Sequence, residues 1–505
     1  MGIILRQSFK QSIIRFGGIG IGLISTLFIY PLALQEMGVI RFIQNTAQVI
    51  VPFCLMGSHV VAIRFFPQFK TEEREKNSFF TLLLLWALAG FFLFMLLYWG
   101  FESSFLSFFQ GQAETEYLGY FDYIPPMVFL MAFAMLITNY TSNFHRIVVP
   151  SIFNEFLLKI TLPLFILLFF WQLVSLSWVI KGLMVSYLVI LVGLVLYLVW
   201  LGQFKLGWTS GFLTRRRLRE LGSFAGFNVL GSWGYILANR IDVLMLGLLL
   251  DADTKFLKVG VYTINLFISE VIDAPRKALF GISSPIVAEA AERGDRAHLL
   301  ELYQKTALNQ LLVGLGIFLL IWVSLDDLFS IMPNGDEVRL GRWIVLFLGI
   351  GKLIDMATGI NGLIIQNTEY FRYNFYFTII LAVVNILNNL WLIPLMGFTG
   401  AAIATLISII AFNLCKFFLL YVKMQLQPFG WANLLVLGIG AICYGIGLLI
   451  PTFGTDLLPA FASVLVRSTV VGGVFFGLAY YFKVSPDLNQ AVHEGLAAIQ
   501  QRFKR

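Results

Sequence analysis

The sequence predicts an all-α integral membrane protein of about fourteen transmembrane helices. Three observations carry that prediction. Hydrophobic residues make up 59% of the 505 and charged residues only 12%, with a mean hydropathy of +0.84; soluble domains carry about 25% charged residues. The apolar runs continue for about twenty residues, enough for a helix to cross a bilayer, and do not alternate as barrel strands do. Basic residues also collect in every second loop, the asymmetry that orients spans.

The apolar runs place spans at 12–34, 39–62, 78–100, 122–145, 151–171 and 177–202, then at 222–250, 257–282, 306–331, 340–365, 374–393 and 398–421. Two more follow at 431–450 and 459–482. The first run is too long for a cleaved leader and reads as the first span. With both termini cytoplasmic, the tails and even-numbered loops, counting the span ends that adjoin them, hold 25 of the 35 lysines and arginines. The net charge of +7 is therefore topology and gives no signal for nucleic acid.

These runs divide the chain into a six-span half over 1–202, a basic cytoplasmic linker over 203–221 containing Arg215-Arg216-Arg217, and a second six-span half over 222–424. Spans thirteen and fourteen occupy 425–482, and an amphipathic cytoplasmic tail over 483–505 opens with Ser485-Pro486-Asp487, a helix start. The inner loop 283–305 is expected to form an amphipathic helix at the membrane surface.

Several chemistries are disfavoured. Cys54, Cys415 and Cys443 lie in apolar runs without paired spacing, and the four histidines are scattered. No loop exceeds about 25 residues, which leaves no room for a soluble catalytic domain. No phosphate-binding glycine loop, metal-ligand pair or nucleophile elbow occurs. The reading is a transporter without cofactor or metal, and not an enzyme.

The informative residues are charges where charge is expensive, about 2.5–3.5 kcal/mol for each Arg or Asp at a helix centre. Asn228, Ser232, Tyr235, Asn239 and Asp242 form one polar stripe on span seven, and Tyr262, Asn265, Ser269, Asp273 and Arg276 another on span eight. In an antiparallel pair, Arg240 comes within a few residues of Glu270 in depth. The stripes would line a hydrophilic cavity; the alternative is a buried ion pair pinning two helices. Span two carries Arg41, Asn45, Gln48 and Pro52. Arg41 and Arg240 suit an anionic substrate, because the guanidinium fork donates two hydrogen bonds to a phosphate, although Arg41 could instead snorkel.

Lys352 and Asp355, at i and i+3 in span ten, would pair on one helix face. Glu155 and Lys159 form an expected structural pair, Arg467 is expected to snorkel, and Pro275 suggests a hinge. Asn385, Asn388 and Asn389 are expected to make interhelical hydrogen bonds.

An internal echo supports two halves. Tyr30-Pro31-Leu32-Ala33-Leu34 followed by Met37-Gly38-Val39-Ile40-Arg41 corresponds in place to Leu244-Met245-Leu246-Gly247-Leu248 followed by Val259-Gly260-Val261-Tyr262. Spans one, two, seven and eight would then face one another across a pseudo-two-fold axis.

The stretch Asn239-Arg240-Ile241-Asp242-Val243-Leu244-Met245-Leu246-Gly247, with Val259-Gly260-Val261-Tyr262 after it, resembles the span seven–eight signature of bacterial polysaccharide flippases. So do the run from Asn385 to Pro394, the Gly397-Phe398-Thr399-Gly400 that follows, and Ile63-Arg64-Phe65-Phe66-Pro67. Their superfamily also contains the peptidoglycan-precursor flippase and multidrug exporters. The resemblance implies two six-helix lobes in a V, a central cavity, and alternating access in a bacterial inner membrane. It implies that an undecaprenyl-pyrophosphate-linked oligosaccharide moves to the outer leaflet for surface polysaccharide synthesis.

On that reading Arg41, Asn45, Gln48, Asn239, Arg240, Tyr262 and Asn265 contact the lipid-linked glycan. Asp242, Glu270, Asp273, Lys352 and Asp355 serve ion coupling, with a proton or sodium ion as the partner. A cation-coupled drug or small-solute antiporter of the same fold is the nearest rival. A membrane glycosyltransferase or glycan polymerase is more remote, since the outer loop 101–121 offers only Glu102, Glu114 and Glu116 as acids.

Overall fold

The computed structural model describes residues 17–110, 119–144, 148–250, 254–490 and 492–494, and every regular element among them is helical. Nine segments among these residues are long and apolar enough to cross a membrane. Two of them, Gly17–Leu55 and Phe371–Met424, each contain two predicted spans. The predicted spans missing from the nine are seven, eight and ten, which carry many of the intramembrane charges. Span seven is helical over Arg215–Leu249. Spans eight and ten are broken, and their leading helices, Lys255–Glu270 and Arg342–Ala357, have 16 residues each. Sixteen residues rise only about 24 Å, short of the ~30 Å hydrocarbon layer.

The chain divides into two compact units, Met1–Thr263 with Asn389–Gly397, and Ile264–Asn388 with Phe398–Arg505. The first unit is built on α1 (Leu34–Leu55), followed by α2 (Ser58–Arg64), α3 (Glu73–Gln110) and α4 (Ile124–Ser142). It continues through α5 (Leu158–Phe170), α6 (Leu176–Trp200), α7 (Arg215–Leu249) and the start of α8 (Lys255–Glu270). α1 packs against α3, α4 and α7, which buries Met37, Val39, Phe42 and Ala47 completely. The loop expected at 35–38 is already the first turn of α1: the backbone leaves helical geometry at Ala33 and regains it at Leu34.

The sequence echo becomes a physical contact. A Cβ added at Gly38 would lie 1.8 Å from the carbonyl oxygen of Phe256, and one added at Gly260 would lie 2.0 Å from that of Leu34. In each case the glycine of one helix receives the carbonyl four residues before the glycine of the other. The Phe42 ring fills the space left at Gly247 and meets the Phe256 ring edge-on at 6.0 Å. Only a residue without a side chain permits backbones so close.

The second unit holds the end of α8, then α9 (Ala274–Glu292), α10 (Arg296–Val323), α11 (Leu325–Ile331), α12 (Arg342–Ala357) and α13 (Asn361–Gln366). Most of α14 (Phe371–Met424), α15 (Trp431–Leu449) and α16 (Leu457–Tyr481) complete it. α14 is two spans folded at Gly397, whose φ of 59° only glycine adopts readily. The core gathers on α10, where Leu311, Leu315 and Leu319 pack with Val436, Ile439, Val471 and Phe475.

Two expectations change here. The surface helix expected at 283–305 does not form as a separate element, because α9 runs to Glu292 and α10 begins at Arg296. Asp295 starts α10 by accepting the His298 N–H at 3.0 Å, satisfying a donor at the helix end. Arg467 does not snorkel. Its guanidinium, 12% exposed, donates to Asp327 at 2.9 Å, to the Val323 carbonyl at 3.1 Å and to the Ile450 carbonyl at 2.7 Å. It joins a carboxylate to the carbonyl of the last residue of α10 and to one just beyond the end of α15. Lys159 does pair with Glu155, at 2.6 Å.

The tail turns back onto α10. Ser485 Oγ donates to Asn309 Oδ1 at 2.6 Å and accepts the Leu488 N–H at 3.3 Å, which begins the expected helix. Asp487 accepts from Asn309 at 2.7 Å and Lys305 at 2.9 Å. The tail beyond Glu494 lies outside the described residues. Partial burial pushes the Asp487 carboxyl up, but the bonds from Lys305 and Asn309 and the lysine charge outweigh it and hold it below its ordinary 3.8. A depressed carboxyl stabilises the docked tail above that ordinary value and ceases to do so as pH falls through the lower, folded-state value.

Two predictions follow from this packing. Gly260→Leu is expected to lower the melting temperature in detergent sharply or prevent folded expression, whereas Gly20→Ala, which meets nothing within 4 Å, leaves it unchanged. Asp487→Asn at neutral pH is expected to lower hydrogen-exchange protection over 485–490 severalfold relative to the intrinsic rate, as acidifying wild type below the aspartate range also should; unchanged protection would discard the docking role.

Candidate functional site

In the first unit, α1 places Arg41 beside Gln44, to which it donates at 2.9 Å, with its guanidinium 5.5 Å from the Tyr30 ring centre. Gln44 donates in turn to the Tyr187 hydroxyl of α6 at 3.4 Å. Arg240 of α7 stands near enough for its charge to act on both Arg41 and Tyr187. Two guanidinium groups therefore share one neighbourhood with phenol and amide groups. Asn45 is buried and Gln48 half-buried on the same helix.

A second group surrounds Asp242, 6% exposed. Its carboxylate accepts from the Tyr262 hydroxyl at 2.9 Å and from the Asn389 amide at 3.1 Å. Tyr262 and Asn389 are completely buried, so Tyr262, expected at the substrate, is placed as a donor to Asp242. Asn389 performs the interhelical bonding expected of it. The side chains of Asn228, Ser232, Tyr235 and Asn239 lie outside the described residues.

The second unit contains a connected ionic network. Glu270 at the end of α8 accepts from Lys352 of α12 at 2.7 Å and Lys277 of α9 at 2.6 Å. Asp273, 1% exposed, pairs with Arg276 and lies 3.4 Å from Lys277. Asp355 approaches Arg276 at 3.8 Å and accepts from Asn413 at 2.7 Å. Asn413 Oδ1 accepts from Thr358 at 2.8 Å and Asn361 at 3.1 Å. Lys416 completes the group with its ammonium 3.6 Å from the Phe412 ring centre. Asn265, fully buried, donates to the Val338 carbonyl at 3.0 Å.

Lys352 and Asp355 correct the expectation that they pair: their nearest partners are on other elements, Glu270 for Lys352 and Arg276 and Asn413 for Asp355. The cause is the break after Glu270. Residues 271–273 form a turn and Pro275 opens α9, so acids and bases of the two short helices converge on α12. Gln44 was legible as the i+3 neighbour of Arg41. Tyr187, Asn413 and Lys416 had no local signal.

The fold is similar to that of solved membrane transporters. The lipid II flippase MurJ, in an inward closed conformation, superposes with a TM-score of 0.68 at 12% identity, covering 95% of this chain and 100% of that one. An inward-facing multidrug resistance MATE family transporter superposes with a TM-score of 0.60 at 13% identity, covering 83% and 98%. No protein-family model matches the sequence. Among curated proteins, a probable low-salt glycan biosynthesis flippase, Agl15 of Haloferax volcanii, is 22% identical over 302 residues. That match spans 59% of this chain and 60% of the relative's length.

The network yields a prediction of its own. Glu270→Gln and Lys352→Met are each expected to lower stability, and the double variant to lose less than their sum, with a coupling of about 0.5–3 kcal/mol. Strict additivity in a denaturation series would show that the contact carries no energy.

Proposed function

We propose that this protein is a flippase that carries a lipid-linked oligosaccharide across the membrane by alternating access. The Arg41–Arg240 pair is the observation that supports this reading best. A glycan joined to its lipid through pyrophosphate needs a polar, cationic path for the headgroup while its tail stays in hydrocarbon. The fold shared with MurJ and the match to Agl15 favour the same substrate class. An undecaprenyl carrier, the cytoplasmic membrane of a bacterium and cytoplasmic termini remain part of the proposal, supported by the sequence resemblance and the distribution of basic residues.

Asp242 is the acid we assign to ion coupling. It is a buried carboxylate that accepts from Tyr262 and Asn389, and a proton or sodium ion arriving there would meet carboxylate oxygens. Glu270, Asp273 and Asp355 are already close to lysine or arginine, and with Lys352 they act first in holding α8, α9 and α12 together. A cation-coupled small-solute antiporter would use Asp242 in the same way, and the MATE superposition favours that second reading.

Cells lacking the protein are expected to accumulate lipid-linked glycan in the cytoplasmic leaflet, rescued by wild type. Losing one charge-assisted contact of about 1.5–3 kcal/mol should leave Arg240→Ala about tenfold or more slower in transport while normally inserted. Absence of accumulation, together with altered sensitivity to cationic drugs, would replace the flippase by the antiporter. In vesicles, Asp242→Asn is expected to abolish dependence on the proton or sodium gradient, and retained dependence would remove Asp242 from coupling.

A further inference from the structure

The first unit carries a surface that neither the cation pair nor Asp242 uses. Between α6 and α7 the chain runs without regular structure over 202–214, yet it is tied down along its length. Thr209 exchanges hydrogen bonds with Ser78 at 2.9 and 3.0 Å, the Gly207 N–H donates to Thr81 at 3.0 Å, and Lys76 donates to Gln203 at 3.0 Å. Arg217 bonds Glu75 at 2.9 Å and the Phe212 carbonyl at 3.1 Å, and lies over the rings of Phe69 and Phe212.

This anchoring holds apolar side chains outward. Leu206 is 61% exposed, Trp208 51%, Leu213 39% and Leu218 49%. Interleaved with them are Arg215, Arg216 and Arg219, all exposed. Arg64, Lys70 and Arg74 are also exposed on the adjoining segment, which the Phe69–Phe212 and Phe65–Phe224 ring contacts bring alongside. None of these six basic groups forms an ion pair among the described residues, whereas Lys205 and Arg217 are neutralised by Glu73 and Glu75. A rigid strip combining an outward tryptophan, outward leucines and unneutralised arginines matches the boundary between acyl chains and charged headgroups.

We propose that the 202–219 segment, with Arg64, Lys70 and Arg74, is a docking surface for the headgroups of anionic phospholipids. Trp208 and the leucines enter the acyl boundary, and the arginines meet lipid phosphates from the same rim. Charge complementarity selects the partner, because a zwitterionic headgroup offers no net attraction to unpaired arginines. The proposal is independent of what the protein transports.

The test uses the full chain in phosphatidylcholine–phosphatidylglycerol vesicles in which one or the other lipid is brominated. Trp208 emission is isolated as the difference between wild type and Trp208→Phe. Brominated phosphatidylglycerol should quench it severalfold more than brominated phosphatidylcholine at equal proportion, and salt should reduce the preference. An Arg215→Gln, Arg216→Gln, Arg219→Gln variant should lose the preference, while the corresponding lysine variant keeps it and so controls for folding. Equal quenching by the two lipids, or a preference that survives the glutamine variant, overturns the proposal.

Discussion

A charged side chain inside a bilayer has no water to turn to, and much of this structure answers that constraint. The two units answer it differently. The second neutralises acid with base, so that Glu270, Asp273 and Asp355 sit among Lys277, Arg276, Lys352 and Lys416. In the first, Asp242 accepts from a phenol and an amide, while two arginines are held within reach of each other's charge.

The broken spans obey the same logic. A break in a membrane helix frees backbone groups that hydrocarbon cannot satisfy, so it survives only beside polar partners. The interruption between α12 and α13 lies next to Asn413, which takes hydrogen bonds from Thr358 and Asn361 on either side of it. The interruption after α8 lies within the ionic network, and Pro275 occupies the first turn of the next helix, where its missing N–H does least harm. Charge and irregular backbone occur together because each supplies what the other lacks.

Much of the fold was legible in the sequence because bilayer crossing demands long apolar runs, which leave a one-dimensional mark. The two spans expected at 374–393 and 398–421 are both found inside Phe371–Met424, folded at Gly397. What escaped notice was tertiary. The i, i+3 spacing of Lys352 and Asp355 suggested a local pair, but spacing states only what a helix permits. Glu270 and Asn413, distant in sequence, offered each a better partner. Arg467 misled for a related reason: an arginine near a span end can reach interfacial water, and here two carbonyls and Asp327 hold it inside.

The reciprocal contact at Gly38 and Gly260 has a mechanical consequence. Each glycine is flanked by residues with side chains, Met37 and Val39 on one helix and Val259 and Val261 on the other. Sliding either helix by a turn would bring a residue with a side chain, Leu34 or Phe42 on one helix and Phe256 or Thr263 on the other, to the place the glycine now holds. Two such contacts, each the image of the other, forbid translation along both helix axes at once. The joint therefore resists shear, because each glycine leaves room for the one carbonyl it already meets.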